Sequence, residues 1–350
     1  MLSAQLREWL EQQAEALDLG QLDGAELLPR LAAADLLRVG VPEVEGGLGG
    51  DISAAVEAVT EVATHSLTAA FVLWGQRSFI EFLLQSTNQS LQQRLLPALL
   101  QGELAGASGL SNAMKFLSGI EQLGVQASAQ GDGYVLNGRL PWVTNLRKQG
   151  FVVAAAVERS DGSAFIAAID SQQPGLHRGD DLQLLGMQSS NTAAVQLHDV
   201  NLPASAVIAE DARSFLARVR PCFLALQCAM ALGLARRSVA EIAAHLAGSR
   251  CVLAAEFSQL QRDLVGIREQ LHQGLREQRF LNQPQELFKL RIALAGLTSQ
   301  AVQLELQASG GRAYLQPYGA GFARRWRESA FIPVITPSLV QLRGELEREA

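Results

Sequence analysis

Apolar positions recur at helical spacing through the first hundred residues of the chain. MLSAQLREWLEQQAEAL, at the start, sets apolar against charged positions as an amphipathic helix does. Leu27, Leu28, Leu31, Leu36 and Leu37 continue that spacing, and Asp51 reads as the N-cap of a helix through the Ala/Val-rich run from Ile52 to Ala63. Residues 68–84 and 89–101 extend the pattern, with Pro97 marking a kink or boundary. Residues 1–104 therefore read as helix throughout and form a first domain.

From about Gly106 the period shortens. Tyr134–Leu136, Phe151–Val157, Phe165–Ile169 and Ala193–Leu197 are short β-like runs, separated by turn chemistry at Gly131-Asp132-Gly133, Asn137-Gly138 and Ser171–Gly175. They predict a small β-domain over 105–210. Helical periodicity then returns over 212–247, 254–279 and 284–309, broken at Asn282-Gln283-Pro284, which predicts a helical bundle over 211–350. The fold class is mostly α with a small central β-domain, without internal repeats.

Composition narrows the function classes. A chain of 350 residues, 48% apolar and 18% charged, is long enough for two or three domains. Its 29 basic and 35 acidic residues leave a net charge of −6. No block of Lys/Arg offers a phosphate backbone a foothold, which disfavours nucleic acid as a partner. Cys222, Cys228 and Cys251, odd in number and in one helical region, read as reduced core residues and point to the cytoplasm. The charged first helix is unlike a signal peptide. Pro221–Ala235, the most apolar stretch, is 15 residues long and holds Gln227, so it predicts a buried helix and no membrane span.

Several motifs have bland readings. Glu45-Gly46-Gly47-Leu48-Gly49-Gly50-Asp51 follows helix rather than strand, so it reads as a tight turn capping the next helix, not a dinucleotide fingerprint. His65, His177, His198, His245 and His272 lack ligand spacing, so no metal site is expected, and no Gly-x-Ser-x-Gly elbow is present.

Three segments gain meaning from their order: Pro141-Trp142-Val143-Thr144-Asn145; Leu185-Gly186-Met187 with Asp199-Val200-Asn201-Leu202-Pro203; and Gln307-Ala308-Ser309-Gly310-Gly311. With Val39–Glu43, Gly102–Ala107 and the three-zone pattern, the chain resembles the acyl-CoA dehydrogenase superfamily of flavoproteins, from Val39 to about Arg327. The resemblance implies an N-terminal helical domain, a middle β-barrel and a C-terminal four-helix bundle. It implies FAD as cofactor in a homodimer or homotetramer, with a small-molecule substrate of acyl-CoA type. It also implies cofactor contacts at Ser111, Trp142, Thr144, Arg250, Gln307, Gly310 and Gly311. Trp142 offers a flat face to the flavin ring, the Thr144 hydroxyl can donate to it, and Arg250 would reach the pyrophosphate of a neighbouring subunit.

The departures from the family pattern are specific. Its Thr-Glu-Pro-x-x-Gly-Ser-Asp loop becomes Ser111–Gly119, without the acid and the proline, and Arg-Asp-Ala becomes Arg327-Glu328-Ser329. The Glu-Gly-Thr that carries the catalytic base becomes Thr336-Pro337-Ser338, and the alternative base position falls near Phe223-Leu224. No catalytic residue is assigned; Glu256, Glu305 and Glu328 are the candidate substitutes. Three functions follow: an FAD-dependent dehydrogenase of an acyl thioester with its base relocated or missing, a reduced-flavin monooxygenase of the same fold, or a catalytically silent flavin- or partner-binding protein.

Overall fold

In the computed structural model, which describes residues 2–348, three zones follow one another along the chain. Helix α1 (Ala4–Asp18) starts where the Ser3 side chain accepts the Leu6 N–H. After α2 (Leu27–Ala33) the helical expectation fails: Asp35–Gly50 is a compact irregular segment, though Leu36 and Leu37 are still buried. Glycine is the physical reason. Gly47 packs so tightly that a Cβ there would lie 2.0 Å from the Val41 carbonyl oxygen, and Gly49 and Gly50 adopt left-handed backbone. The turn delivers Asp51, whose side chain accepts the Ser53 N–H at 2.9 Å and starts α3 (Ile52–His65). The glycine run is thus a turn and cap.

α4 (Leu67–Leu84) is buried along nearly its whole length, and α5 (Gln89–Leu100) contains Pro97 within it rather than ending there. The β zone is an eight-stranded mixed sheet. Its strands are β1 (Ala105–Ser108), β2 (Val125–Gln130), β3 (Gly133–Val143), β4 (Phe151–Arg159), β5 (Ala164–Asp170), β6 (Leu176–Asp181), β7 (Ala193–Leu202) and β8 (Val207–Ala209). Their order is β6-β7-β3-β2-β4-β5-β8, with β1 parallel to β4 through Ala105 opposite Phe151. The turn at Gly131-Asp132 joins β2 to β3. Asn137-Gly138 is not a turn; β3 runs through it with a register shift, because Gly138 has a φ of 144° and approaches the Gly124 carbonyl where a Cβ would clash. Between β1 and β2 lies the short helix α6 (Ser111–Leu117).

The last zone comprises α7 (Ala212–Ala243), α8 (Ala254–Arg276), α9 (Arg279–Asn282), α10 (Pro284–Ser309), α11 (Ala320–Phe331) and α12 (Leu339–Arg348). α10 begins on Pro284, which needs no N–H at a first helical position. α7 and α8 stop a few residues before the periodicity predicts. α7 is the central column, packed against both α3 and α10. At Gly233 it comes so near α3 that a Cβ would lie 2.3 Å from the Thr60 carbonyl oxygen. The first and last helical zones therefore share one core. α4 and α7 are each long and apolar enough to cross a membrane, but 89% and 78% of their apolar windows are buried inside the fold.

Candidate functional site

Strand β3 ends by presenting one large ring to solvent. Trp142 is 59% exposed, whereas Val143, Thr144 and Asn145 beside it are buried. Strand alternation explains Val143. Asn145 is held by its backbone, which adopts φ 65° and donates to the Ser190 carbonyl at 3.1 Å, and by its side chain. Its amide donates to Gln76 Oε1 on α4 and to the Gly106 carbonyl on β1, each at 2.9 Å. The Thr144 hydroxyl points inward and lies 3.0 Å from the Thr192 hydroxyl, which is 2.8 Å from that of Ser190. In this conformation Thr144 is engaged within the protein, and Trp142 is the free surface of the strand end.

The Leu185–Thr192 segment is what supports this end. Its Met187 N–H donates to Asp18 at 2.7 Å, and Asp18 also accepts from Arg327 at 2.9 Å. Asp18, 1% exposed at the end of α1, thereby joins all three zones. It had no sequence signal of its own, since its partners lie far away along the chain. Ser111, read as part of a loop, is instead the half-buried first residue of α6.

A second group of candidate residues gathers at the end of α10. Gly310 terminates the helix in a left-handed conformation, with Arg250 Nη2 only 3.0 Å from where its Cβ would be. Arg250 also lies 3.4 Å from the Ser309 carbonyl oxygen. Gln307 and Gly311 are exposed, and Gly311 has open space beside it. A cavity of about 520 Å³ opens next to this turn, lined in part by Ser309, Arg312, Tyr318 and the Glu305–Arg325 pair. Among the described residues, no hydrogen bond or ion pair links this turn to the Trp142 strand end.

The family model for the acyl-CoA dehydrogenase N-terminal domain matches residues 1–103. A probable acyl-CoA dehydrogenase of Bacillus subtilis, YngJ, is 31% identical over 197 residues, 53% of this chain and 50% of that protein. Butyryl-CoA dehydrogenase from Megasphaera elsdenii superposes with a TM-score of 0.85 at 20% identity, covering 99% of this chain and 95% of that one. KijD3, solved in complex with FMN and a dTDP-linked amino sugar, superposes at 0.83 and 19% identity, over 99% and 91% of the two chains. Residues 1–103 thus match the acyl-CoA dehydrogenase N-terminal domain, and the whole chain has the fold of the solved acyl-CoA dehydrogenases. Its sequence match to curated relatives such as YngJ spans about half of their length.

This similarity sharpens the question of the base. Thr336 carries no carboxylate, and its carbonyl accepts the Gln227 amide at 2.8 Å. Phe223 is packed into aromatic rings, 5.0 Å from Trp74, itself stacked on Phe71. Glu305 is 1% exposed and accepts Arg325 Nε at 3.0 Å. Glu328 accepts the Leu67 N–H at 3.2 Å and Arg324 Nη1 at 3.1 Å, so it secures the start of α4. Burial raises the Glu328 pKa, and the Arg324 charge opposes that rise. Glu256 lies on the exposed first turn of α8 beside Gln300. Glu305 and Glu328 are thus tied into the helical core by arginines.

Proposed function

We propose that this protein is an FAD-dependent, acyl-CoA dehydrogenase-like oxidoreductase of an acyl thioester or a related substrate, with its catalytic base relocated or missing. The observation that carries the flavin part is Trp142, a large ring held out to solvent by a strand end whose next three side chains, Val143 to Asn145, are buried. Arg250, Gln307, Gly310 and Gly311 fit a dinucleotide: the glycines let backbone approach closely, and Arg250 supplies charge to a phosphate. Because this turn is not bonded to the Trp142 edge, we assign it to the site of a second subunit in a homodimer or homotetramer. When bound, FAD would supply a hydride acceptor. Removal of an α-proton falls to the protein, and loss of a positioned base costs about 10²–10⁴ in rate, about 3–5 kcal/mol.

The locked state of Glu305 and Glu328 favours a second reading, reduced-flavin oxygen chemistry, which needs no such carboxylate. Spectral titration with FAD tests the shared part: no binding at tens of micromolar by folded protein refutes both readings. Anaerobic addition of saturated acyl-CoAs then separates them. Slow bleaching of the flavin supports a dehydrogenase with a weak base. An absence of bleaching, with oxygen consumption by the reduced flavoprotein, supports the second reading.

A further inference from the structure

Met187 and Asn191, which flank the turn Gln188–Ser190, both adopt left-handed backbone, at φ 55° and 51°. Asparagine tolerates that region. Methionine crowds its Cβ against a carbonyl oxygen there, and such a residue persists only where its surroundings over-determine it. The surroundings of Met187 do so. Its N–H donates to Asp18 Oδ1 at 2.7 Å, and its carbonyl accepts the Ser190 N–H at 3.1 Å. The second oxygen of Asp18 faces Arg327 Nη2 at 2.7 Å and Nε at 2.9 Å, and Glu15 holds Arg327 from the other side at 3.1 Å. The linker that follows α1 adds a second support. Ser189 Oγ donates to the Leu22 carbonyl at 2.5 Å, and a Cβ on Gly24 would lie 1.9 Å from the Ser189 carbonyl oxygen. The linker backbone therefore lies directly on the turn.

The turn in its own right carries the candidate site. Its Ser190 carbonyl accepts the Asn145 N–H at 3.1 Å, and its Asn191 carbonyl accepts the Leu146 N–H at 3.0 Å. Thr192, just beyond it, places its hydroxyl 3.0 Å from that of Thr144. Residues 144–146, immediately after the Trp142 strand end, thus take their backbone course from the turn. Gln76 grips the same segment through the Asn145 side chain.

We propose that Asp18 is a positioning residue for the flavin edge: it holds Met187 in its left-handed conformation, and the turn so fixed sets the backbone that presents Trp142. This rests on the flavin reading of Trp142. An ionised acceptor binds a backbone N–H about twice as strongly as a neutral one, which suits a carboxylate to holding a strained residue. A ring whose support is already fixed loses less freedom when a ligand stacks on it.

The test compares Asp18→Ala with Glu305→Gln, which breaks a buried ion pair between α10 and α11 that has no bond to the turn. Hydrogen–deuterium exchange of the ligand-free proteins is resolved at the Asn145 and Leu146 amides. In Asp18→Ala both amides should exchange about tenfold faster or more while those of α10 keep their protection; in Glu305→Gln the pattern should reverse. FAD affinity, from fluorescence titration, should fall about tenfold in Asp18→Ala and stay at the wild-type value in Glu305→Gln. A role confined to general stability would move both variants alike. Equal acceleration at residues 145–146 in the two variants, or none in Asp18→Ala, overturns the proposal, as does faster exchange with FAD affinity unchanged. Should Asp18→Ala fail to fold, Ser189→Ala removes only the bond to Leu22 and is expected to speed the same two amides and weaken FAD binding; wild-type behaviour in both readouts overturns the proposal. Wild-type protein that binds no FAD removes the flavin reading, and the exchange comparison still decides whether Asp18 holds the strand end.

Discussion

Asn145 donates its side-chain amide to Gln76 Oε1 at 2.9 Å, and that same oxygen accepts the Gly106 N–H at 2.6 Å. The amide nitrogen of Gln76 meanwhile donates to the Leu99 and Leu104 carbonyls, at 2.9 and 3.0 Å. Two buried side-chain amides thus fasten the end of β3 to α4, to the exit of α5 and to β1. Asn145→Ala leaves the Gly106 carbonyl without its donor and places a side chain that cannot bond locally at a left-handed φ. We expect a loss of about 2 kcal/mol in urea unfolding, with weaker FAD binding because Trp142 loses its fixed base. Unchanged stability would show that the Gln76 hub holds the strand without Asn145.

Trp142 should behave in the opposite manner. Its ring is largely in water, so Trp142→Ala should alter stability by no more than about 0.5 kcal/mol. It should weaken FAD binding by about tenfold, through the lost ring contact. Fluorescence titration measures the second effect, and FAD affinity equal to wild type would remove Trp142 from the site.

Glu305 separates architecture from chemistry. Removing its charge leaves Arg325 buried, with Glu241 at 3.9 Å and the more distant Glu328 as remaining counter-charges. Glu305→Gln is expected to cost about 3 kcal/mol. A variant of full stability that had lost flavin bleaching by acyl-CoA would instead identify Glu305 as a base.

Glu57 should make the protein sensitive to acid. Burial disfavours its ionised form, but hydrogen bonds with His272 and Arg268 and the charge of Arg236 prevail and hold its pKa at about 2. A carboxylate depressed in the folded state stabilises above its unfolded pKa, near 4.5, and that contribution fades as pH falls through about 2. Between pH 5 and 2 the unfolding temperature of wild type should therefore fall more steeply than that of Glu57→Gln. Parallel curves would mean that solvent screens the α3–α8 cluster completely.

Local sequence determined what neighbouring residues can decide among themselves. Asp51 and Pro284 mark helix starts, the Gly131-Asp132 turn joins β2 to β3, and apolar periodicity separates helical zones from the sheet between them. The ordered motifs also marked Trp142 and the Arg250–Gly310 turn as candidates for the site. Tertiary structure alone decided the rest, because those outcomes depend on partners far apart in the chain. Asn137-Gly138 reads locally as a turn, yet pairing with β2 and β7 keeps it within a strand. Asp18 gains its role only where Met187 and Arg327 converge on it. Glu305 and Glu328 look like free carboxylates until Arg325, Arg324 and the Leu67 N–H close on them. Arg77 looks like an ordinary helix cation until burial between α4 and α7 removes water and leaves its charge unpaired. Spacing along a helix specifies which face a charge occupies, whereas desolvation and the supply of a counter-charge are set by the elements packed against that face.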